Sequence, residues 1–281
     1  EALRVRLLGF HRKLLADDGD LRIPAILALG TLARQGTADA LSVLVDILED
    51  QSDYEPQEVN AAIDSVAYVG GDAALVAFIS HASAFGDKRI QDHLLKKTCA
   101  LVAAGGLRAL AAAMERLEAV SLLDGGVPSA EFAEALCQDT QVEALITSAR
   151  QASASDDRVD FLWRVLLSRA RFADLLGDEK AAATRIAALD EVLQKSPGLK
   201  ERMPRGVQDL AELRQAIERR AAVKNVFTGF DGVDPAPVVK DLCSLATPAT
   251  SVPVRWLNLI WIARLIETAE PSDRTERVRD G

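Results

Sequence analysis

Three histidines, His11, His81 and His93, and three cysteines, Cys99, Cys137 and Cys243, are the side chains best suited to metal binding or nucleophilic chemistry in this 281-residue chain. Their spacing argues against both. No two histidines stand four residues apart, the separation that sets two imidazoles on one helix face for a metal. His81 and His93 would meet only if two separate helices brought them together. Cys99 lies among Thr98, Ala100, Leu101 and Val102, the surroundings of an inert buried thiol. The odd, scattered cysteine set has no redox or metal spacing and fits a reducing compartment. Asp231 and Asp234 share a Gly-containing loop, but without alternating carboxylates and a distal Glu they serve a turn better than a calcium ion. There is no Gly-x-Ser-x-Gly and no phosphate-cradling glycine loop. Gly70-Gly71 and Gly105-Gly106 fall between helical stretches, where they act as stops. The chain is therefore expected to be no enzyme and to hold no metal or cofactor.

Composition says what must position any surface the chain uses. Apolar residues make up 49% and aromatic residues only 5%, so Ala, Leu, Val and Ile carry the core. Such residues favour closely packed helices, and strand-like alternation never persists. Net charge is −9. Residues 1–150 hold 13 Lys and Arg against 22 Asp and Glu, whereas residues 151–281 hold 20 of each. The acidic excess belongs to the first half and would repel a phosphate backbone, so no nucleic-acid partner is expected. The N-terminal stretch is amphipathic from the start, with no secretory pattern. Apolar runs such as 256–263 are far shorter than a membrane span, so a cytoplasmic chain without a membrane partner is expected. The absent initial Met and the Asp280-Gly281 end fit an excised piece of a longer protein.

Helical signals follow one another along the chain. Leu3, Val5, Leu7, Leu8, Leu14 and Leu15 mark a first helix. Asp20 is placed to cap a second over 21–34, with Pro24 in its first turn, and Thr37 to cap a third over 38–49. In that third helix Leu41, Leu44, Val45 and Leu48 are spaced as one apolar stripe. The stretch Leu21-Arg22-Ile23-Pro24-Ala25-Ile26-Leu27-Ala28-Leu29-Gly30 resembles the first helix of a HEAT repeat of the phycobilisome-lyase type. Ala40-Leu41, Leu44 and Ile47-Leu48-Glu49-Asp50 match its second helix. A fainter copy runs over 58–80, with Ala62, Ile63, Val66 and Ala67 offset by 37 residues from Ala25, Ile26, Leu29 and Gly30. A third pair, 90–104 and 107–120, keeps the helix–Gly-Gly–helix layout. Stacked helix pairs produce such a period. The expected fold is all-α, an α-solenoid of antiparallel helix pairs, HEAT-like over about 20–120.

Polar residues 153–157 set the expected boundary between a HEAT-like region, 1–152, and a C-terminal helical region, 153–270, followed by a disordered tail, 271–281. After it come helices over 158–176, 179–194 and 206–225. The first two resemble a tetratricopeptide-type hairpin ending at Pro197, although the Gly177-to-Pro197 distance is three residues too long for that family. Further short helices are expected over 237–245 and 254–266.

The most promising functional surface is acidic. Asp39, Ser42, Asp46, Glu49 and Asp50 lie opposite the apolar stripe of the third helix, and Glu115 and Glu118 fall away from Leu110 and Met114. In HEAT proteins the second helices tend to line the concave face, which the resemblance implies here. Such a face either is simply solvated or attracts a basic peptide or protein surface. Trp256 and Trp261, about 140° apart around one helix, either pack in the core or form a docking surface. The expected function is a non-catalytic protein-interaction module or scaffold presenting a curved acidic surface. Alternatives are an immunity-type inhibitor of an enzyme or toxin, and bilin lyase-like chromophore handling. A HEAT-like DNA glycosylase would need a basic, aromatic-lined face, which the acidic first half opposes.

Overall fold

The computed structural model of the chain describes residues 2–16, 19–82, 84–124, 126–151 and 156–228. Among these residues the regular structure is entirely helical, with no strand, so the protein is all-α. The chain divides into two compact units, Glu1–Gly206 and Val207–Gly281.

The first unit contains α1 (Ala2–Ala16), α2 (Arg22–Arg34), α3 (Ala38–Glu49), a 3-10 turn (Gln51–Asp53), α4 (Pro56–Val69), α5 (Gly71–Ser80), α6 (Lys88–Asp124), α7 (Val127–Gln138), α8 (Thr140–Gln151), α9 (Asp156–Leu175), α10 (Glu179–Lys195) and α11 (Leu199–Arg202). Helix α12 (Pro204–Thr228) begins in it and supplies the described part of the second unit, where Leu210 and Leu213 are buried. The helices expected over 237–245 and 254–266 lie outside the described residues, as does the tail over 271–281. Both α9 and the helices before residue 153 belong to the first unit, since α9 packs on α6 and α7.

Local chemistry explains the helix ends. Helix α2 starts at Arg22 with Leu21 at its N-cap, so Asp20 stands outside it, and Pro24 sits in the first turn where its missing N–H costs nothing. Gly36, with φ of 91°, ends the turn after α2 in a conformation that suits glycine. Thr37 occupies the N-cap of α3 but makes no capping bond, and its Oγ1 is buried without a partner. Helix α4 is better closed, with Pro56 at its start and Glu58 Oε2 accepting from the Glu55 N–H at 2.9 Å. Asp178 caps α10 by accepting from the Ala181 N–H at 2.9 Å.

Packing follows the apolar faces. Helix α2 lies on α3 and α4, α4 and α5 lie on α6, and α6 lies on α7, α8 and α9. The α2–α4 crossing is close because Gly30 has no side chain: a Cβ there would stand 2.7 Å from the Ser65 Cβ. Ser65 Oγ uses the approach to donate to the Ile26 carbonyl at 3.2 Å. Helix α6 turns at Gly106 (φ 69°, ψ −161°) into two arms, so the pair expected over 90–104 and 107–120 is joined with no loop between. Its stretch Lys88–Ser121 is long and apolar enough to cross a membrane by length and composition, beyond the short apolar runs read from the sequence, and 44% of the apolar window is buried inside the fold.

Candidate interaction face and cationic cavity

Helix α3 buries Ala40, Val43, Leu44, Ile47 and Leu48, spaced at i, i+3, i+4, i+7 and i+8. The sequence pattern placed the stripe on Leu41, Leu44, Val45 and Leu48. The helix is rotated relative to that choice, leaving Leu41 and Val45 half-buried. Both registers keep the polar side outward: Asp39, Ser42, Asp46, Glu49 and Asp50 are all exposed. Among the described residues no Lys, Arg or His nitrogen lies within 4.0 Å of Asp39, Asp46 or Asp50. Glu49 alone has a neighbour, His81 Nε2 at 3.6 Å. Glu49 and Asp50 end the helix, with no basic residue in its last turn. The helix macrodipole is negative at that end, so carboxylates there raise the energy of the fold.

Glu115 and Glu118, also in the sequence-derived acidic set, have a different setting. Glu115 meets Arg164 at 3.3 Å and Glu118 meets Arg171 at 2.7 Å, tying the second arm of α6 to α9. The same arm meets α5 through Asp72–Arg108 at 3.7 Å and through Arg116, which donates to Ser80 Oγ at 3.1 Å. Trp256 and Trp261 lie outside the described residues.

The histidines and cysteines are separated. His81 is buried at the end of α5 with Nδ1 2.7 Å from the Ala77 carbonyl oxygen. His93 lies 3.0 Å from Asp64, which also pairs with Lys97 at 2.7 Å and joins α4 to the first arm of α6. Burial pushes the Asp64 carboxyl up, but the hydrogen bonds and charges of Lys97 and His93 outweigh it and hold the group below its ordinary value. Burial lowers the pKa of His11, whose Nδ1 has no partner. Cys99 and Cys137 are buried free thiols, and burial pushes them up to about 12 and about 11, so neither is a thiolate at neutral pH. Cys243 is outside the described residues, as are Asp231 and Asp234. Among the described residues no three His, Cys, Asp or Glu side chains gather as a metal site.

Two concavities have polar linings. One of about 400 Å³ is lined by Arg22, Tyr54, Glu55 and Glu58. The Arg of the HEAT-like pattern there sits 3.6 Å from Glu58 and over the Tyr54 ring at 5.6 Å, linking the start of α2 to the start of α4. The other, of about 570 Å³, lies among α8, α9 and α10 and escaped the sequence reading. Ile146 and Leu166 give it buried apolar walls, while Arg150, Arg169, Lys180 and Arg185 bring cations into it. Arg185 is clamped by Glu134 and donates to the Arg169 carbonyl at 2.6 Å. Arg150 pairs with Glu191 at 2.9 Å, and hydrogen bonds from Lys195 and Arg150 hold that carboxyl below its ordinary value. Three helices converge on this cavity, and the only sequence signal for it was the richer supply of cations after residue 150. No family model, no curated protein and no solved structure matches the chain.

Proposed function

We propose that this chain is a protein-interaction module built from HEAT-like helix pairs stacked as an α-solenoid, and that the exposed face of α3 receives a basic partner surface. The stacking is supported by the sequence separation of residues that meet between neighbouring helices. Gln51 reaches the Ala84 carbonyl across 33 residues, Arg34 reaches that of Tyr68 across 34, and Arg116 reaches Ser80 across 36. Those separations approach the 37-residue offset between the two copies of the sequence pattern. Past α6 they lengthen to between 41 and 53, and the contacts from α6 to α9, at 49 and 53, skip α7 and α8.

The observation that carries the functional reading is the unpaired acidity of α3. Among the described residues Asp39, Asp46 and Asp50 have no ion-pair partner within 4.0 Å, and Asp50 sits where the helix dipole disfavours it. An opposing cationic surface removes both costs, and long-range attraction speeds its approach. The test is a pull-down from native lysate with salt elution. A basic protein retained at low salt and released by moderate salt supports the proposal. Retention of DNA at physiological salt, or a pigment that purifies with the chain, overturns it.

A further inference from the structure

The cationic cavity among α8, α9 and α10 plays no part in an acidic docking face, and its charges are unevenly used. Arg150 and Arg185 are occupied by Glu191 and Glu134. Both acids that line the cavity are engaged as well: Glu191 by Arg150 and Lys195, and Asp178 by the N–H of Ala181 that it caps. Two cations remain. The Arg169 Nε is buried with no hydrogen-bond partner, and among the described residues neither the Arg169 nor the Lys180 side chain has a hydrogen bond or ion pair.

The Arg169 and Lys180 side chains line the cavity without a hydrogen-bond or ion-pair partner among the described residues, and an anion entering the cavity supplies one. A guanidinium and an ammonium lining one cavity offer a planar fork and a point charge, a combination suited to a phosphate group. A phosphate monoester carries about −1.5 to −2 charges near neutral pH, which matches the two unengaged cations better than a single carboxylate does. The cavity volume of about 570 Å³ is within the range of small-ligand sites and exceeds what an inorganic ion fills. Ala181, Ala187 and Ala188 line the remainder with accessible apolar surface suited to an organic body.

We infer that this cavity binds a small organic phosphate monoester, with Arg169 and Lys180 holding the phosphate and Ala181, Ala187 and Ala188 contacting the organic part. Calorimetric titration of the full chain with phenyl phosphate, inorganic phosphate and succinate tests this. Phenyl phosphate is expected to bind more tightly than either of the others. Arg169→Gln and Lys180→Gln are each expected to weaken it by about tenfold or more, the usual cost of losing a hydrogen bond to a charged group. Lys180 is exposed, so its variant keeps the measurement interpretable if Arg169→Gln fails to fold. No binding of phenyl phosphate, unchanged affinity in the Lys180→Gln chain, or succinate binding as tight as phenyl phosphate would each overturn the inference.

Discussion

Gly30 sets the distance between α2 and α4. Any side chain there meets Ser65, and the Ser65 hydroxyl is itself committed to the Ile26 carbonyl. Gly30→Ala is expected to lower unfolding stability by about 1–3 kcal/mol through overpacking, read as a lower urea midpoint with an unchanged slope. Arg22 likewise acquires a physical role, holding Glu58 and Tyr54 where α2 meets α4. The positions of Arg22 and Gly30 in the repeat pattern were legible in the sequence, but their partners were not, because those lie more than thirty residues away. Asp64 supplies a pH dependence. Its carboxyl is depressed in the fold, so its contribution to stability is complete above the unfolded value, near 3.8, and is lost as pH falls through the folded value. Urea midpoints measured across that acid range are expected to fall more steeply for the wild type than for Asp64→Asn.

At the scale of elements, ion pairs of similar appearance carry unequal weight. Glu134 and Arg185, on α7 and α10, are only 16% and 14% exposed, whereas Glu115 and Arg164 are 50% and 42% exposed. Glu134→Ala leaves a largely buried guanidinium uncompensated and is expected to cost about 3 kcal/mol. Glu115→Ala removes a solvated pair and is expected to cost less than about 1 kcal/mol. Chemical denaturation of the two variants side by side checks the contrast. Helix α3 shows how far periodicity reaches. Its polar face was readable because Asp39, Ser42, Asp46, Glu49 and Asp50 are outward in either register. The buried set was not, since Leu41 and Val45 are as apolar as Val43 and Ile47, and only packing against α2 and α4 chooses between them. The start of α2 missed its expected cap because Leu21 takes the position that Asp20 was assigned.

At the scale of the whole molecule, charges differ in whether they find a partner. Among the described residues of the balanced second half several pair with one another, as Glu191 does with Lys195 and Arg202 with Asp156 and Asp160. In the acidic first half Asp39, Asp46 and Asp50 have no ion-pair partner among the described residues. The net charge made that excess visible in the sequence, while the distinction between α3 and the paired Glu115 and Glu118 needed the fold. A solvated face and a docking face differ in what charge reversal does. Asp46→Lys/Asp50→Lys removes like charge and places cations toward the negative end of α3, so it is expected to raise stability by up to about 1 kcal/mol. The decisive measurement is the affinity of the salt-eluted partner for this variant and for the wild type, at about 50 mM and about 300 mM salt. The expected result is binding that weakens with salt in the wild type and is lost in an equally or more stable variant. Undiminished binding by the variant would contradict a docking role for α3.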